Sequence, residues 1–228
     1  MEYIAPLVLS VSLGGAAQAQ QAPIPTVSEL PAVHARDAEA PAREQQEPTE
    51  PPVDATETSA GSWLDRPVRN WNRPGAALPK PTKGEYEPTI DEQCKDSLRK
   101  GDGPEDTQVT QAGWSLFGSR QTYNDVTLVS GMSGADGMCR PFGYQVFIFV
   151  GGQFAGTIAP EPMASRMDGD AGPVSLFSDE TLSVEFSRYK DTDPLCCPSG
   201  RTSVSYRIDR EGAHPVLAPE EITPVSQP

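Results

Sequence analysis

The sequence predicts a mostly β fold, with α+β as the alternative: a compact antiparallel β-meander or sandwich-like domain. We expect one short N-terminal helix, disulfide staples, and a disordered Pro-rich tether before the domain. Three observations predict this class. Short apolar runs with period-two alternation follow Gly113 and are separated by turn residues. Helical periodicity is scarce, which favours a meander over βαβ units. Finally, 12 of the 24 prolines lie within residues 20–88.

The helix and the first strand are predicted just after the proline-rich stretch. In TIDEQCKDSLRK, Thr89 is suited to cap a short helix whose first turn carries acidic residues. In NDVTLVSG, Val126 and Leu128 share one face of a strand, opposite Thr127 and Val129. A strand with this pattern buries one face against a core.

Further strands are predicted from the apolar run GYQVFIFV at residues 143–150, whose β-branched and aromatic residues suit a central strand. Gly151 and Gly152 separate it from QFAGTIAP, so the two segments predict a tight hairpin. PVSLF and TLSVEFSRY repeat the pattern around SDE, and RTSVSYRID supplies the last predicted strand. Period-two apolar residues mark one face of these later strands: Leu182, Val184, Phe186, Val204, Tyr206 and Ile208.

Four segments divide the chain. Residues 1–19 fit a secretory signal peptide, because a short apolar stretch ends in small residues suited to cleavage near Ala19. Residues 20–88 predict a disordered Pro/Glu-rich linker, which carries too few large apolar side chains to offset its ordering entropy. Residues 89–219 form the predicted β-rich domain, and residues 220–228 form a flexible tail. We therefore expect a secreted, periplasmic or otherwise extracytoplasmic protein.

Two tryptophans interrupt the predicted linker. Trp63 and Trp71 lie in SWLDRPVRNW, and a tryptophan buries a large area wherever it packs. They either dock onto the domain or onto a partner, or they are incidental aromatic residues of a loop.

The charge of the chain excludes some classes of partner. A formal net charge of −14 opposes nucleic acid, whose binders need a clustered basic face. After the predicted signal, no stretch is long and apolar enough to span a bilayer. No cysteine follows the apolar segment, so no lipid anchor is evident. The expected partner is an unknown protein or envelope component.

The four cysteines, Cys94, Cys139, Cys196 and Cys197, predict structural disulfides, because their number is even and the chain is predicted to be exported. Neighbouring Cα atoms lie only about 3.8 Å apart, against roughly 4.4–6.8 Å for most disulfides. We therefore expect two long-range bridges, in which Cys94 and Cys139 each hold one member of the adjacent pair. A redox-active bridge between the adjacent cysteines and a metal site are the alternatives.

No catalytic set, metal site or cofactor site is predicted. The chain has two histidines, His34 in the linker and His214 near the tail, so a histidine base for nucleophilic catalysis is scarce. MDGDAG and RYKDTDP fit polar turns better than a calcium loop or a catalytic pair. A carboxylate-dependent hydrolase remains the weakest alternative, and its candidate residues are Asp168, Asp170, Asp191 and Asp193.

A longer pattern resembles a known family. YQVFIFVGGQFAGTIAPEPMASRMDGD and FSRYKDTDPLCCPSGRTSVSYRI are similar to the LppP/LprE lipoprotein family, an exported domain of undetermined function, over roughly residues 113–208. Members are typically lipid-anchored, and the resemblance implies no activity. It implies that the segment from Arg188 to Ser199 belongs to the fold or to a shared site. The candidate binding surface is therefore Arg188, Tyr189, Asp191 and Asp193.

Together these observations predict an exported, disulfide-stabilised, non-enzymatic protein of the envelope or the secreted fraction, which binds an unknown ligand. The alternative is an extracytoplasmic thiol–disulfide redox factor that uses the adjacent cysteines. The hydrolase comes third.

Overall fold

Two antiparallel β-sheets share one buried core in the computed structural model of the chain. The structure describes residues 61–82, 90 and 93–225, all within the unit Asp54–Pro228. The predicted signal peptide, Thr89 and most of the predicted linker lie outside the described residues. In the described part, no helix is long and apolar enough to cross a bilayer. The predicted mostly β class is confirmed.

The first sheet contains five strands: β1 Ser115–Leu116, β2 Gln121–Tyr123, β3 Val126–Ala135, β4 Pro141–Val150 and β5 Gln153–Thr157. Its order is β1-β3-β4-β5, and β2 pairs with β3 on the same side as β1. Long β3 and β4 therefore form the centre of this sheet, and β5 is one of its edges.

The second sheet contains four strands: β6 Ala171–Leu176, β7 Thr181–Arg188, β8 Gly200–Asp209 and β9 Val216–Val225. They pair in chain order as an antiparallel meander. β6 and β9 are the edges of this sheet.

The hairpin predicted around Gly151 and Gly152 joins β4 to β5. Val150 lies opposite Gln153, so the loop has two residues. Both glycines have positive φ, 55° and 78°. A type I′ turn requires positive φ at both central residues, and glycine adopts it without steric cost.

The sequence analysis did not predict β9, and placed the end of the domain at Pro219. The strand VLAPEEITPV contains Pro219 and Pro224, which lack the N–H that a central strand needs. Here it is an edge strand that pairs only with β8, where such a residue is tolerated. The short strands β1 and β2 were also not predicted.

The core between the sheets follows the predicted period-two pattern. Val126 and Leu128 of β3 and Ile148 of β4 face the second sheet. The six predicted apolar positions of β7 and β8 form the opposing layer, and all are less than about 5% exposed. Alternation on facing strands thus produces a single apolar layer between two sheets.

The first sheet is buried on its other face as well. A second cluster on that face joins Phe147 and Phe149 of β4 to Val109 and Trp114. This double burial explains why β4 is a nearly continuous apolar run, because neither face meets water. Gly131 of β3 lies under this layer, where a Cβ would come within 2.9 Å of the Trp114 side chain.

The covering layer includes helix α1, Pro104–Gln111, which lies later in the chain than the predicted helix. Within the predicted segment, Ile90 and Gln93 are helical, Lys95–Ser97 is a 3₁₀ turn, and Leu98 forms a β-bridge with Phe117. Pro104 at the first helical position and acidic residues in the first turn favour the start of α1.

An ion pair holds the start of α1. The fully buried Asp106 carboxylate accepts hydrogen bonds from Arg99 Nη1 at 2.6 Å and Nη2 at 2.7 Å, and from the Asp102 N–H at 3.0 Å. The hydrogen bond from Arg99 is the main reason that the pKa of Asp106 is lowered to about 2. The charged form is therefore the one the fold stabilises.

Residues 61–82, here called the strap, run along the edge of the sandwich. Asn72 is the main anchor: its Nδ2 donates to the carbonyls of Thr157 and Leu217 at 3.0 Å each, and its Oδ1 accepts the Thr157 N–H at 2.9 Å. Thr157 ends β5 and Leu217 lies in β9, so one carboxamide joins both sheets. Part of the predicted linker therefore packs on the domain.

We expect Asn72→Ala to lower the free energy of unfolding by about 2–3 kcal/mol, because three hydrogen bonds are lost and two buried carbonyls lose a partner. Urea denaturation of the full chain measures this. Asn70→Ala is the matched control, since that side chain accepts only one bond, from the N–H of Asn72. A loss of equal size in both variants would contradict the bridging role of Asn72.

Asp106→Asn should change how stability depends on pH. The folded pKa of Asp106 lies below its ordinary value, so its charge stabilises the fold above about pH 4, and this stabilisation is lost as pH falls towards 2. We expect the free energy of unfolding of the variant to be about 2–3 kcal/mol lower than that of the wild type at pH 7. This difference should disappear as the pH falls from 4 to 2. Denaturant unfolding at several pH values measures both.

The control for this prediction is Asp102→Asn, because the Asp102 side chain is 72% exposed. It should follow the wild-type pH dependence. If the stability difference between wild type and Asp106→Asn stays constant down to pH 2, the prediction is contradicted.

Candidate binding site

Two indoles of the strap pack against the second sheet. The ring centroid of Trp63 lies 5.1 Å from that of Trp71 and 5.2 Å from that of Phe186, both edge to face. Trp71 lies 6.4 Å from Tyr206 and donates from Nε1 to the carbonyl of Thr157 at 3.1 Å. Both tryptophans therefore dock onto the domain, and they remain partly exposed.

An arginine ties the start of the strap to the domain. Trp63–Asp65 form a 3₁₀ turn, and Arg188 Nη2 donates to the Asp65 carboxylate at 2.7 Å. Arg188 Nε donates to Asp168 at 2.9 Å, in the connection between β5 and β6. These carboxylates, Asp65 first, raise the pKa of Arg188. Arg188, a predicted surface residue, thus fixes the strap in place.

A cleft of about 440 Å³ opens along the strap, here called the indole cleft. Its lining includes Trp63, Trp71, Arg66 and Arg69 of the strap, and Glu161 of the connection between β5 and β6. Pro67, Val68, Asn70, Pro160 and Ile222 complete the lining. This volume lies within the range of about 300–1,000 Å³ typical of small-molecule sites.

A second cleft, also of about 440 Å³, continues from the first and is here called the methionine cleft. It shares Trp63, Arg66 and Glu161 with the indole cleft and adds Met163 and Met167. The two clefts therefore adjoin at these three residues. Together they are called the double cleft.

The double cleft presents polar groups without partners. Among the described residues, Arg69 makes no hydrogen bond or ion pair, and Arg66 donates only to the carbonyl of Gly61, at 2.9 Å. The side chain of Glu161 and Nε1 of Trp63 also have no partner in that part of the chain. Several donors and one carboxylate are therefore open to a ligand.

The sequence analysis missed Arg66, Arg69 and Glu161. A signal was present: the strap carries four basic residues against one acidic residue in a chain of net charge −14. Its proline and glycine content led to its assignment as linker. Only the fold brings Glu161, from the β5–β6 connection, into the same cleft as the strap residues.

The other three residues of the predicted surface belong to the connection between β7 and β8. The Asp193 carboxylate accepts the N–H groups of Lys190 at 2.8 Å and Ser199 at 2.9 Å, and these backbone bonds lower its pKa. The Tyr189 hydroxyl donates to the carbonyl of Leu195 at 3.1 Å. Asp191 is exposed. These residues shape one loop, and only Arg188 reaches the strap.

The carboxylates considered for hydrolysis accept structural hydrogen bonds. Asp168 accepts from Arg188 Nε and from the N–H of Tyr189 at 2.9 Å. Asp170 accepts from the Tyr144 hydroxyl and, at 2.8 Å, from the N–H of Arg166. Burial, and then the charge of Asp170, raise the pKa of Tyr144, so this hydroxyl stays a donor.

The prediction of two long-range disulfides is wrong. Cys94 pairs with Cys139, and Cys196 pairs with its neighbour Cys197. The fold decides this pairing, because Cys94 is buried beside the turn between β3 and β4, whereas the adjacent cysteines lie exposed in the β7–β8 loop. No group of metal-ligating side chains occurs within residues 61–82 and 93–225.

The fold and the site define a mostly β, disulfide-bonded domain with a ligand-sized groove at the edge of a sandwich. The family model of the LppP/LprE lipoproteins matches residues 121–211, which confirms the resemblance predicted over roughly residues 113–208. The family implies an exported, envelope-associated protein. It also implies a possible lipid anchor, which differs from the prediction that none is evident. Searches of curated proteins and of solved structures gave no significant match.

The matched region contains only one wall of the double cleft. It includes Glu161, Met163, Met167 and Arg188, whereas the strap and β9 lie outside it. The strap is thus the part of the site that the family match does not cover.

The two disulfides should differ in their effect on stability. The Cys94–Cys139 bridge closes a 45-residue separation, so Cys94→Ala/Cys139→Ala should cost about 3–4 kcal/mol and lower the Tm by about 10 °C. The Cys196–Cys197 bridge closes no long loop, so Cys196→Ser/Cys197→Ser should shift the Tm by less than about 2 °C. Calorimetry measures both. Equal losses would indicate the long-range pairing instead.

Proposed function

We propose that the chain is an exported, non-enzymatic binding module whose binding site is the double cleft. One observation carries the proposal: Arg66 and Arg69, which form no ion pair with a described carboxylate, line a cleft of ligand size together with two partly exposed indoles. Tryptophan and arginine are the residues most enriched among those that dominate binding energy. Burying them against a partner removes apolar area from water and gives the guanidinium groups an acceptor.

The hydrogen bonds that Asp168 and Asp170 accept support binding rather than catalysis. Asp168 accepts from Arg188 and from the backbone of Tyr189, and Asp170 accepts from Tyr144 and Arg166. A catalytic acid and base need access to a substrate and protons to exchange with it. Carboxylates that accept two structural donors are better suited to shaping a site than to this exchange.

The predicted binding surface contributes to this site through Arg188. Its two ion pairs hold Asp65 of the strap and Asp168 of the facing wall. In this proposal Arg188 is a positioning residue for the double cleft. Tyr189, Asp191 and Asp193 form a neighbouring loop, which a large partner would contact as well.

A photo-crosslinking experiment tests the proposal. Benzoylphenylalanine at Val68, which lines the indole cleft and is 37% exposed, should give a discrete adduct in cells that export the full chain. The same probe at Tyr123, which is 45% exposed and lines neither cleft, is the control. Arg69→Glu should abolish the Val68 adduct. An identical adduct from both positions, or one unaffected by Arg69→Glu, would contradict the assignment.

The redox alternative is favoured by one observation, the exposed pair Cys196–Cys197. An external dithiol would attack one sulfur, form a mixed disulfide and leave as a disulfide, so that both cysteines become thiols. Cys94 is buried at 1% exposure, which protects the other bridge.

Thiol counting separates the two functions. A redox factor should yield two titratable thiols after mild dithiol treatment of native protein, and its activity should be lost in Cys196→Ser. A binding module should keep its Val68 adduct in that variant. Loss of the adduct in Cys196→Ser, with the fold intact, would favour the redox function.

A further inference from the structure

We infer that the double cleft binds an acidic, proline-containing peptide segment in an extended conformation; this rests on the proposed function and names its ligand class. Three features carry the inference: the charge of the strap, the shape of the groove and the chemistry of its apolar lining.

The charge of the strap is opposite to that of the chain. Residues 61–82 contain four basic residues and one acidic residue, whereas the chain as a whole has a net charge of −14. The acidic residue is Asp65, and the basic residues are Arg66, Arg69, Arg73 and Lys80. Asp65 is already paired with Arg188. Within the strap, the charged residues of the indole cleft that pair with no described carboxylate are therefore Arg66 and Arg69, whose guanidinium groups suit carboxylates through charge-assisted bonds.

The groove suits a linear ligand. The indole cleft and the methionine cleft meet at Trp63, Arg66 and Glu161, so a ligand that fills both passes over one indole. Pro67, Pro160 and Trp71 border this path. Polyproline II segments dock in aromatic-lined grooves, where their preformed shape reduces the entropy lost on binding.

The lining distinguishes a peptide from an anionic glycan. Met163 and Met167 line one cleft, and Val68 and Ile222 line the other. Aliphatic and thioether groups gain free energy by covering apolar side chains, and methionine adapts its shape to them. At these four apolar side chains, the hydroxyl groups of a sugar would lose water without gaining hydrogen bonds.

The Glu161 carboxylate sets the position of the ligand charges. Glu161 lines both clefts, and its side chain has no partner among the described residues, so its carboxylate repels an acidic residue placed next to it. The acidic residues of the ligand therefore lie on the strap side, and its apolar residues and prolines lie on the indoles. This arrangement predicts that removal of the Glu161 charge strengthens binding.

Calorimetric titration of the full chain with the synthetic peptide DPPLDPPLD tests the inference, with KPPLKPPLK as the matched peptide of opposite charge. The acidic peptide should bind at least about tenfold more tightly than the basic one, and raising the salt should weaken it. Arg69→Glu should weaken binding about tenfold, and Glu161→Gln should strengthen it about threefold. Among the described residues, Arg69 makes no hydrogen bond or ion pair that its replacement would break.

Lys100→Glu is the control variant, because Lys100 is exposed, lines neither cleft and changes the net charge equally. It should change the affinity by less than about twofold. Equal effects of Lys100→Glu and Arg69→Glu, or equal binding of both peptides, would overturn the inference.

Heparin, a sulfated glycan, is titrated in parallel. If heparin alone binds and depends on Arg69, the ligand class is wrong while the binding site stands. If neither ligand binds but the Val68 adduct forms and needs Arg69, the inference fails and the proposed function survives. If neither ligand binds and no Val68 adduct forms, the inference and the proposed function are both contradicted.

Discussion

The site depends on one side chain amide. The Asn72 carboxamide bonds to the last residue of β5 and to β9, so it joins the edges of two sheets that share no strand pairing in the described part of the chain. It reaches them because Gly156 has no side chain: a Cβ there would overlap the carboxamide. Trp71 precedes Asn72 and bonds to the same Thr157 carbonyl. These hydrogen bonds therefore hold the middle of the strap, and they fix the positions of the Trp63 and Trp71 indoles.

The scaffold beneath this contact is rigid for a physical reason. The first sheet is covered by the second sheet on one face and by α1 with Trp114 on the other. At the turn end, Arg210 donates to Asp125 of the first sheet, by two bonds of 2.8 and 2.9 Å, and to the carbonyl of Asp179 in the second. A groove at the edge of such a body keeps its shape, which suits recognition by loops on a fixed scaffold.

Electrostatics divide the arginines of the site into two roles. Arg188 lies between Asp65 and Asp168, and its guanidinium forms ion pairs with both carboxylates that hold the strap in place. Arg66 and Arg69 belong to the same neighbourhood, yet neither forms an ion pair with a described carboxylate. The chain as a whole carries a net charge of −14, so the charge of these two residues is opposite to that of the chain. An acidic partner would meet a locally favourable field within a Debye length of the groove.

The sequence by itself determined the strands that bury one or both faces. The alternation of apolar residues and the glycines at turns are local properties of the chain, so they can be read without the fold. It also carried the family pattern around Pro160 and the adjacent cysteines. It did not reveal β9, since an edge strand tolerates prolines that a local pattern treats as breakers.

Only the tertiary structure decided which cysteines pair, which arginines form ion pairs with described carboxylates, and that Glu161 lines the same cleft as the strap. These features depend on distances between residues far apart in the chain. Such distances are fixed by how two sheets pack, and no single segment encodes them.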